Sequence, residues 1–154
     1  MHYFIFANKD TYITEDSPGH ITQQPNSKNK NYGGDEILEL KKEFTDSHAT
    51  SPYCVSRILT QFDYSDISAS IVNGDIPAPQ TPSSIGSKFY LMYYEVEGQT
   101  ELDKTYSLST HMLRRTWEEG TGKHFDNPET KVGCTWNSGS STAAWISTET
   151  NMTS

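Results

Sequence analysis

Ser56-Arg57-Ile58-Leu59-Thr60-Gln61-Phe62-Asp63 is the stretch on which the fold turns. Ile58, Thr60 and Phe62 share one face of a period-two pattern, and Arg57, Leu59, Gln61 and Asp63 share the other. Such alternation suits a half-buried β-strand, punctuated by Pro52 before it and by Asp63-Tyr64-Ser65-Asp66 after it. The apolar seam that a helix would need does not continue through Ser65, Asp66 and Ser68. The pattern predicts a central strand with Ile58 and Phe62 turned inward. Arg57 and Asp63, at its two ends, are expected in structural pairings rather than in ligand binding.

Working outward, Tyr3-Phe4-Ile5-Phe6-Ala7 reads as a first strand, Asn8-Lys9-Asp10 as a polar turn and Thr11 to Thr14 as resumed strand. Ser17-Pro18-Gly19 breaks that run. Gln23 to Lys30 is polar without an apolar period, which predicts an exposed loop. Asn31-Tyr32-Gly33-Gly34-Asp35 is a turn whose glycines permit positive φ. Glu36 to Phe44 fits a short helix or a strand, and the glycine turn before it favours the strand, with Leu38 and Leu40 inward. Ile67 to Val72 fits a helical turn or a short edge strand. Gly74 to Ser87 holds three of the chain's seven prolines and predicts a long surface loop. Lys88 to Glu97, apolar on both faces, is the most emphatic strand pattern, as where a sheet packs on both sides or meets another chain. Thr105 to Leu113 alternates as a further strand. Trp117 to Gly122 opens a long loop past Pro128, and Gly133 to Trp136 and Ala143 to Ile146 are short strand candidates.

The 154 residues suit one domain spanning residues 1–154. Aromatics make up 12%, with nine Tyr, while Ala and Leu are sparse; that composition favours an all-β chain with many turns. The hydrophobic fraction is 33% and the mean hydropathy −0.70, which implies a thin sandwich, long polar loops or surface buried only in an assembly. A net charge of −8 and a pI near 5.0 argue against a nucleic-acid partner, which needs a basic face. Apolar runs stay far short of the ~20 residues of a membrane span. Residues 3–7 are too short for a secretory signal core, so synthesis in the cytoplasm is expected. There Cys54 and Cys134 would stay reduced, as two buried free thiols in preference to a disulfide formed outside the cell.

In this order, the pieces resemble the DNRLRE-type β-sandwich family, related to a class of carbohydrate-binding modules. The resemblance rests on Asp10 to Ile13, Asn31-Tyr32-Gly33, Leu38-Glu39-Leu40, Arg57 to Asp63, Trp117 to Thr121 and Gly133 to Trp136. It implies an antiparallel β-sandwich of jelly-roll type. The family pattern runs on past the Thr135-Trp136 element into closing strands, whereas this sequence stops at Asn151-Met152-Thr153-Ser154. A sandwich lacking its closing strands, or completed by a neighbouring chain, is the corresponding expectation. The strand that follows Phe62-Asp63 is aromatic-rich here (Phe89, Tyr90, Tyr93, Tyr94), where the family has aliphatics. Copies that begin with a bare Met and an aromatic strand resemble virion structural proteins of tailed phages. The resemblance implies a virion location, other virion proteins or further copies as partners, and a glycan as the alternative ligand.

The residues with chemical capacity favour bland roles. His2, His20, His48, His111 and His124 lack metal-ligand spacing. Glu118 and Glu119 beside Trp117 suggest a glycosidase carboxylate near a sugar platform, but no second carboxylate can be assigned, and a structural corner is favoured. Asp63, Asp66 and Asp75 lack the order of a calcium loop and suit turn capping. Ser107, Ser109 and His111 form no nucleophile elbow. Asn151-Met152-Thr153 matches a glycosylation acceptor without a secretory signal. Trp117, Trp136 and Trp145 suit core packing better than sugar stacking. No catalytic, cofactor-binding or metal-ligating residue is predicted. The leading expectation is a non-enzymatic virion protein, and the second a carbohydrate-binding or adhesion module.

Overall fold

The structure, a computed structural model, describes residues 3–15, 27–44, 53–79, 87–94, 96 and 107–145. The chain divides into two compact units: Met1–Phe6 with Phe62–His111, and Ala7–Gln61 with Met112–Ser154. Strands dominate its regular structure, and among the described residues the single α-helix is short and a 3-10 turn spans Ser27–Asn29. Strands β1 (Ala7–Thr14), β2 (Lys42–Phe44) and β3 (Tyr53–Phe62) form one sheet in the order β1-β3-β2. The stretch quoted first is therefore the central strand, as its pattern predicts. β2 pairs antiparallel with β3, Lys42 opposite Val55 and Phe44 opposite Tyr53. Ser56 stitches the segment before β2 to β3: its Oγ accepts from the Lys41 amide at 2.6 Å and donates to the Glu39 carbonyl at 2.7 Å.

The inward face of β3 is the reverse of the expected one. Leu59 is buried against Ile13, Trp117 and Cys134, whereas Ile58 and Phe62 are half-buried. Arg57, on Leu59's face, lies with its guanidinium carbon 4.7 Å from the centroid of the Trp136 ring. An arginine stem covering an aromatic face counts as apolar surface, so alternation of residue types alone misassigns the two faces. Leu113, Trp136 and Trp145 complete this core, most of which hangs on loops rather than strands.

β1 begins at Ala7, and Tyr3–Phe6 carries no strand. The expected turn Asn8-Lys9-Asp10 is strand, because other parts of the chain satisfy its polar groups. The Asp10 amide donates to Glu119 Oε1 at 2.7 Å, and the Lys9 ammonium reaches the Trp117 carbonyl at 3.5 Å. Of Glu36 to Phe44 only the last three residues are strand, with Leu40 exposed. Lys30, expected in an exposed loop, is buried.

In the other unit, α1 (Ser65–Val72) settles the Ile67–Val72 ambiguity as helix, with Ile67 its buried residue. Asp63 Oδ1 accepts the Ser65 amide at 2.9 Å, and Asp66 places a negative charge in the positive first turn. Gly74, at φ +82, ends the helix by donating to the Ile71 carbonyl at 3.1 Å. Residues 87–94 and 96 form no strand, contrary to the emphatic pattern of Lys88 to Glu97. Ser107 to Leu113 likewise carries no strand, while Thr105 and Tyr106 lie outside the described residues. The short candidates reduce to one isolated bridge, Ser138 with Ala144; Gly133 to Trp136 is loop, and Ile146 lies outside the described residues.

Candidate functional site

A buried polar corner is built on Asn31. Its side chain is fully buried and makes four hydrogen bonds. Nδ2 donates to the carbonyls of Glu119 at 2.7 Å and Cys134 at 2.8 Å, and Oδ1 accepts from the amides of Gly33 at 3.1 Å and Gly122 at 2.9 Å. Carbonyls only accept and backbone amides only donate, so the network fixes the amide's orientation. One side chain thus ties together the Asn31-Tyr32-Gly33 turn, the Trp117–Gly122 loop and the Gly133–Trp136 element. These are three of the stretches that carry the family resemblance.

Close approach makes the glycines necessary. A Cβ on Gly33 would sit 2.0 Å from the Glu119 carbonyl oxygen, and one on Gly34 would sit 2.6 Å from that of Thr121. Neither glycine has positive φ; that conformation falls instead on Gly120 and Gly133, on the facing loops. Around the corner Tyr12 stacks on Tyr32 with centroids 4.4 Å apart and donates its hydroxyl to Asp35 at 3.1 Å. Burial, reinforced by the Asp35 charge, pushes the Tyr12 phenol well above its ordinary pKa. The Lys30 ammonium donates to the carbonyls of His124 and Asp126 and lies 5.7 Å from the Tyr32 ring centroid. Two carbonyl dipoles and a ring face are what allow a lysine to be buried.

The carboxylates weighed for catalysis are committed to backbone. Glu119 accepts from Asp10, and Glu118 Oε2 accepts the amide and hydroxyl of Ser141 at 3.0 and 2.9 Å. These bonds hold the Glu118 carboxyl below its ordinary pKa, as the Ser65 amide does for Asp63. Asp66 and Asp75 are exposed, as are His111 and His124, and among the described residues no group of His, Cys, Asp and Glu is placed to hold a metal ion. Ser107 and Ser109 are exposed on irregular chain. His2, His20, His48 and Asn151 lie outside the described residues. Cys134 is a buried free thiol, pushed up to about 12 chiefly by burial. Nothing is described of the Cys54 side chain.

Of the three tryptophans, Trp117 is buried, Trp136 sits half-buried under Arg57, and Trp145 packs on the core and donates Nε1 to the Thr135 carbonyl at 2.9 Å. None stands as a free sugar platform. Exposed aromatics lie elsewhere, on Tyr3, Phe4 and Phe6, on Tyr64 and Phe125, and in the run Phe89, Tyr90, Leu91, Met92, Tyr93, Tyr94 and Val96. This run is the candidate functional surface. Sequence reading marked it as apolar on both faces but missed the anchoring role of Asn31; the only hint was an Asn before an aromatic and two glycines. No family model, no curated protein and no solved structure matches the chain. Among the described residues no helix is long and apolar enough to cross a membrane.

Proposed function

We propose that this chain is a non-enzymatic structural protein of a tailed-phage virion, a capsid, neck or tail component that works by binding its neighbours. The observation that carries the reading is the exposure of residues 89–94 and 96, on a chain whose net charge of −8 keeps most of its surface repulsive to copies of itself. Exposed runs of large apolar residues mark protein contacts more often than catalysis, and the carboxylates of the Trp117 loop are committed to backbone. The virion assignment rests on the resemblance to the DNRLRE-type family. A β-rich chain supports the jelly-roll sandwich that the resemblance implies, as does the meeting of three motif stretches at Asn31.

The second reading, a carbohydrate-binding or adhesion module, draws on the same exposed tyrosines. Leu91, Met92 and Val96 among them offer no flat ring for a sugar, which favours the protein partner. The test is co-sedimentation of the full chain with the other structural proteins of its virion. Tyr90→Asp with Tyr94→Asp is expected to abolish co-assembly while leaving the thermal unfolding transition in place. Undiminished co-assembly of that variant, or turnover of a polysaccharide lost in Glu118→Gln, would overturn the reading.

A further inference from the structure

We infer that Asn73 is a site of spontaneous modification, where the backbone nitrogen of Gly74 closes on the Asn73 side chain and converts it to aspartate and isoaspartate. Asn73-Gly74 is the one Asn-Gly pair in the sequence. The reaction forms a bond between the Gly74 nitrogen and Asn73 Cγ and breaks the bond from Cγ to Nδ2. Ammonia leaves, carrying the proton that the Gly74 nitrogen gives up. Water then opens the cyclic imide. Opening at Cγ yields aspartate. Opening at the main-chain carbonyl yields isoaspartate, whose backbone runs through the side chain and is one methylene longer. At neutral pH either product adds one negative charge to the net −8.

Ring closure needs an exposed asparagine, an unhindered following residue and an amide hydrogen that can be freed. Asn73 and Gly74 are both exposed at the end of α1, and a Cβ on Gly74 would meet nothing within 4 Å. Asn73 rests at φ −76 and ψ −10, with the Gly74 amide donating to the Ile71 carbonyl at 3.1 Å. Closure turns ψ away from that helical value and releases the bond, together with those of Asp75 and Ile76 to Ser70. This motion is fraying of the last turn of an eight-residue helix, the kind of opening that requires least free energy in a fold. The other described asparagines each lack one of the conditions. Asn31 is buried with both side-chain atoms bonded. Asn127 precedes Pro128, which has no amide hydrogen to give up. Asn137 Nδ2 is held by Asn29 Oδ1 at 2.8 Å, and the Ser138 amide is tied to Thr135. Asn8 lies within β1, and Asn29 precedes the buried Lys30. At residue 73 the new carboxylate faces the negative end of the helix dipole, so modification loosens the turn further.

The test is incubation of the folded full chain at neutral and at mildly alkaline pH, with the peptide around each asparagine followed by mass spectrometry. The peptide carrying Asn73 should gain one mass unit ahead of every other asparagine, and faster at the higher pH. It should separate into aspartate and isoaspartate forms of equal mass. Isoaspartate distinguishes ring closure from direct hydrolysis of the side-chain amide, which gives aspartate alone. Gly74→Ala should slow the change by about tenfold, because a Cβ crowds the attacking nitrogen and stiffens the backbone. Asn73→Gln should remove the change from that peptide, since the larger ring closes far less readily. Both positions are exposed, and the peptide map of the parent chain decides the question even where a variant fails to fold. A chain in which another asparagine reacts first overturns the inference. So does change at residue 73 only after unfolding in urea, or aspartate formed there without isoaspartate. A folded Gly74→Ala variant that reacts as fast as the parent overturns it equally.

Discussion

Replacing Asn31 by Asp changes one NH2 group to an oxygen and almost nothing in volume, so it tests the corner without opening a cavity. The acceptor side survives, since a carboxylate oxygen can still receive the amides of Gly33 and Gly122. The donor side inverts. An anionic oxygen would face the carbonyls of Glu119 and Cys134, which the native Nδ2 holds at 2.7 and 2.8 Å. Each orphaned buried carbonyl costs about 1–3 kcal/mol, and a buried charge without a partner adds to it. A loss of about 3–5 kcal/mol near neutral pH follows, a large share of the ~5–15 kcal/mol that domains possess. Protonation restores one donor, so the folded state should hold the new carboxyl above the ordinary aspartate pKa of about 3.9. Between the two pKa values the folded state binds more protons than the unfolded one, so the penalty is full at high pH and shrinks on acidification. Urea unfolding of variant and parent at about pH 7 and about pH 4.5 reads this directly. A variant within about 1 kcal/mol of the parent at neutral pH, or a gap that widens on acidification, would refute the account.

Four further outcomes follow from the same packing. Leu59→Ala should cost about 2–5 kcal/mol in chemical denaturation and Phe62→Ala clearly less, the reverse of what alternation in the central strand suggests. Gly33→Ala drives a Cβ into the Glu119 carbonyl and should destabilise by more than Gly74→Ala, where only a positive φ at an open site is strained; equal unfolding midpoints would contradict this. The Cys134 thiol, pushed up to about 12, should resist alkylation at about pH 8 in the native protein and react on unfolding, as followed by mass spectrometry of its peptide. Glu118 has a depressed folded-state pKa, so the stability it contributes is present above the ordinary glutamate pKa and is lost as pH falls through the lower native value. Glu118→Gln should therefore flatten that part of the acid limb of a stability–pH curve, and an unchanged limb would argue against the Ser141 contacts in solution.

The central strand was legible because its period-two pattern is long and its flanks are turn residues. Its inward face was not, because burial follows what packs against the strand. Trp117, Cys134 and Trp136 arrive from loops more than fifty positions downstream. The strand character of Asn8-Lys9-Asp10 was hidden for the same reason, since its polar groups are satisfied by Trp117 and Glu119. The turn at residues 31–35 was visible from its glycines, although steric approach rather than positive φ is what demands them. Glu118 and Glu119 were read as a structural corner, and their backbone partners fit that role. Lys88 to Glu97 shows the limit of pattern reading most clearly: an apolar, aromatic-rich run reads as a strand from composition, yet its described residues carry none.

The Asn31 corner also sets a timetable. Its bonds to Glu119, Gly122 and Cys134 bridge 88, 91 and 103 positions of chain. At ribosomal rates of about 5–20 residues per second, Asn31 waits roughly 5–20 s after its own synthesis before its partners exist. Until then a polar side chain destined for the interior, together with the Tyr12 and Tyr32 rings beside it, remains in water. Closure must also bear the entropy of a long loop, which places the chain among the slower folders for its size. The early half is thus open to chaperones and to mispairing for as long as the late half is being made.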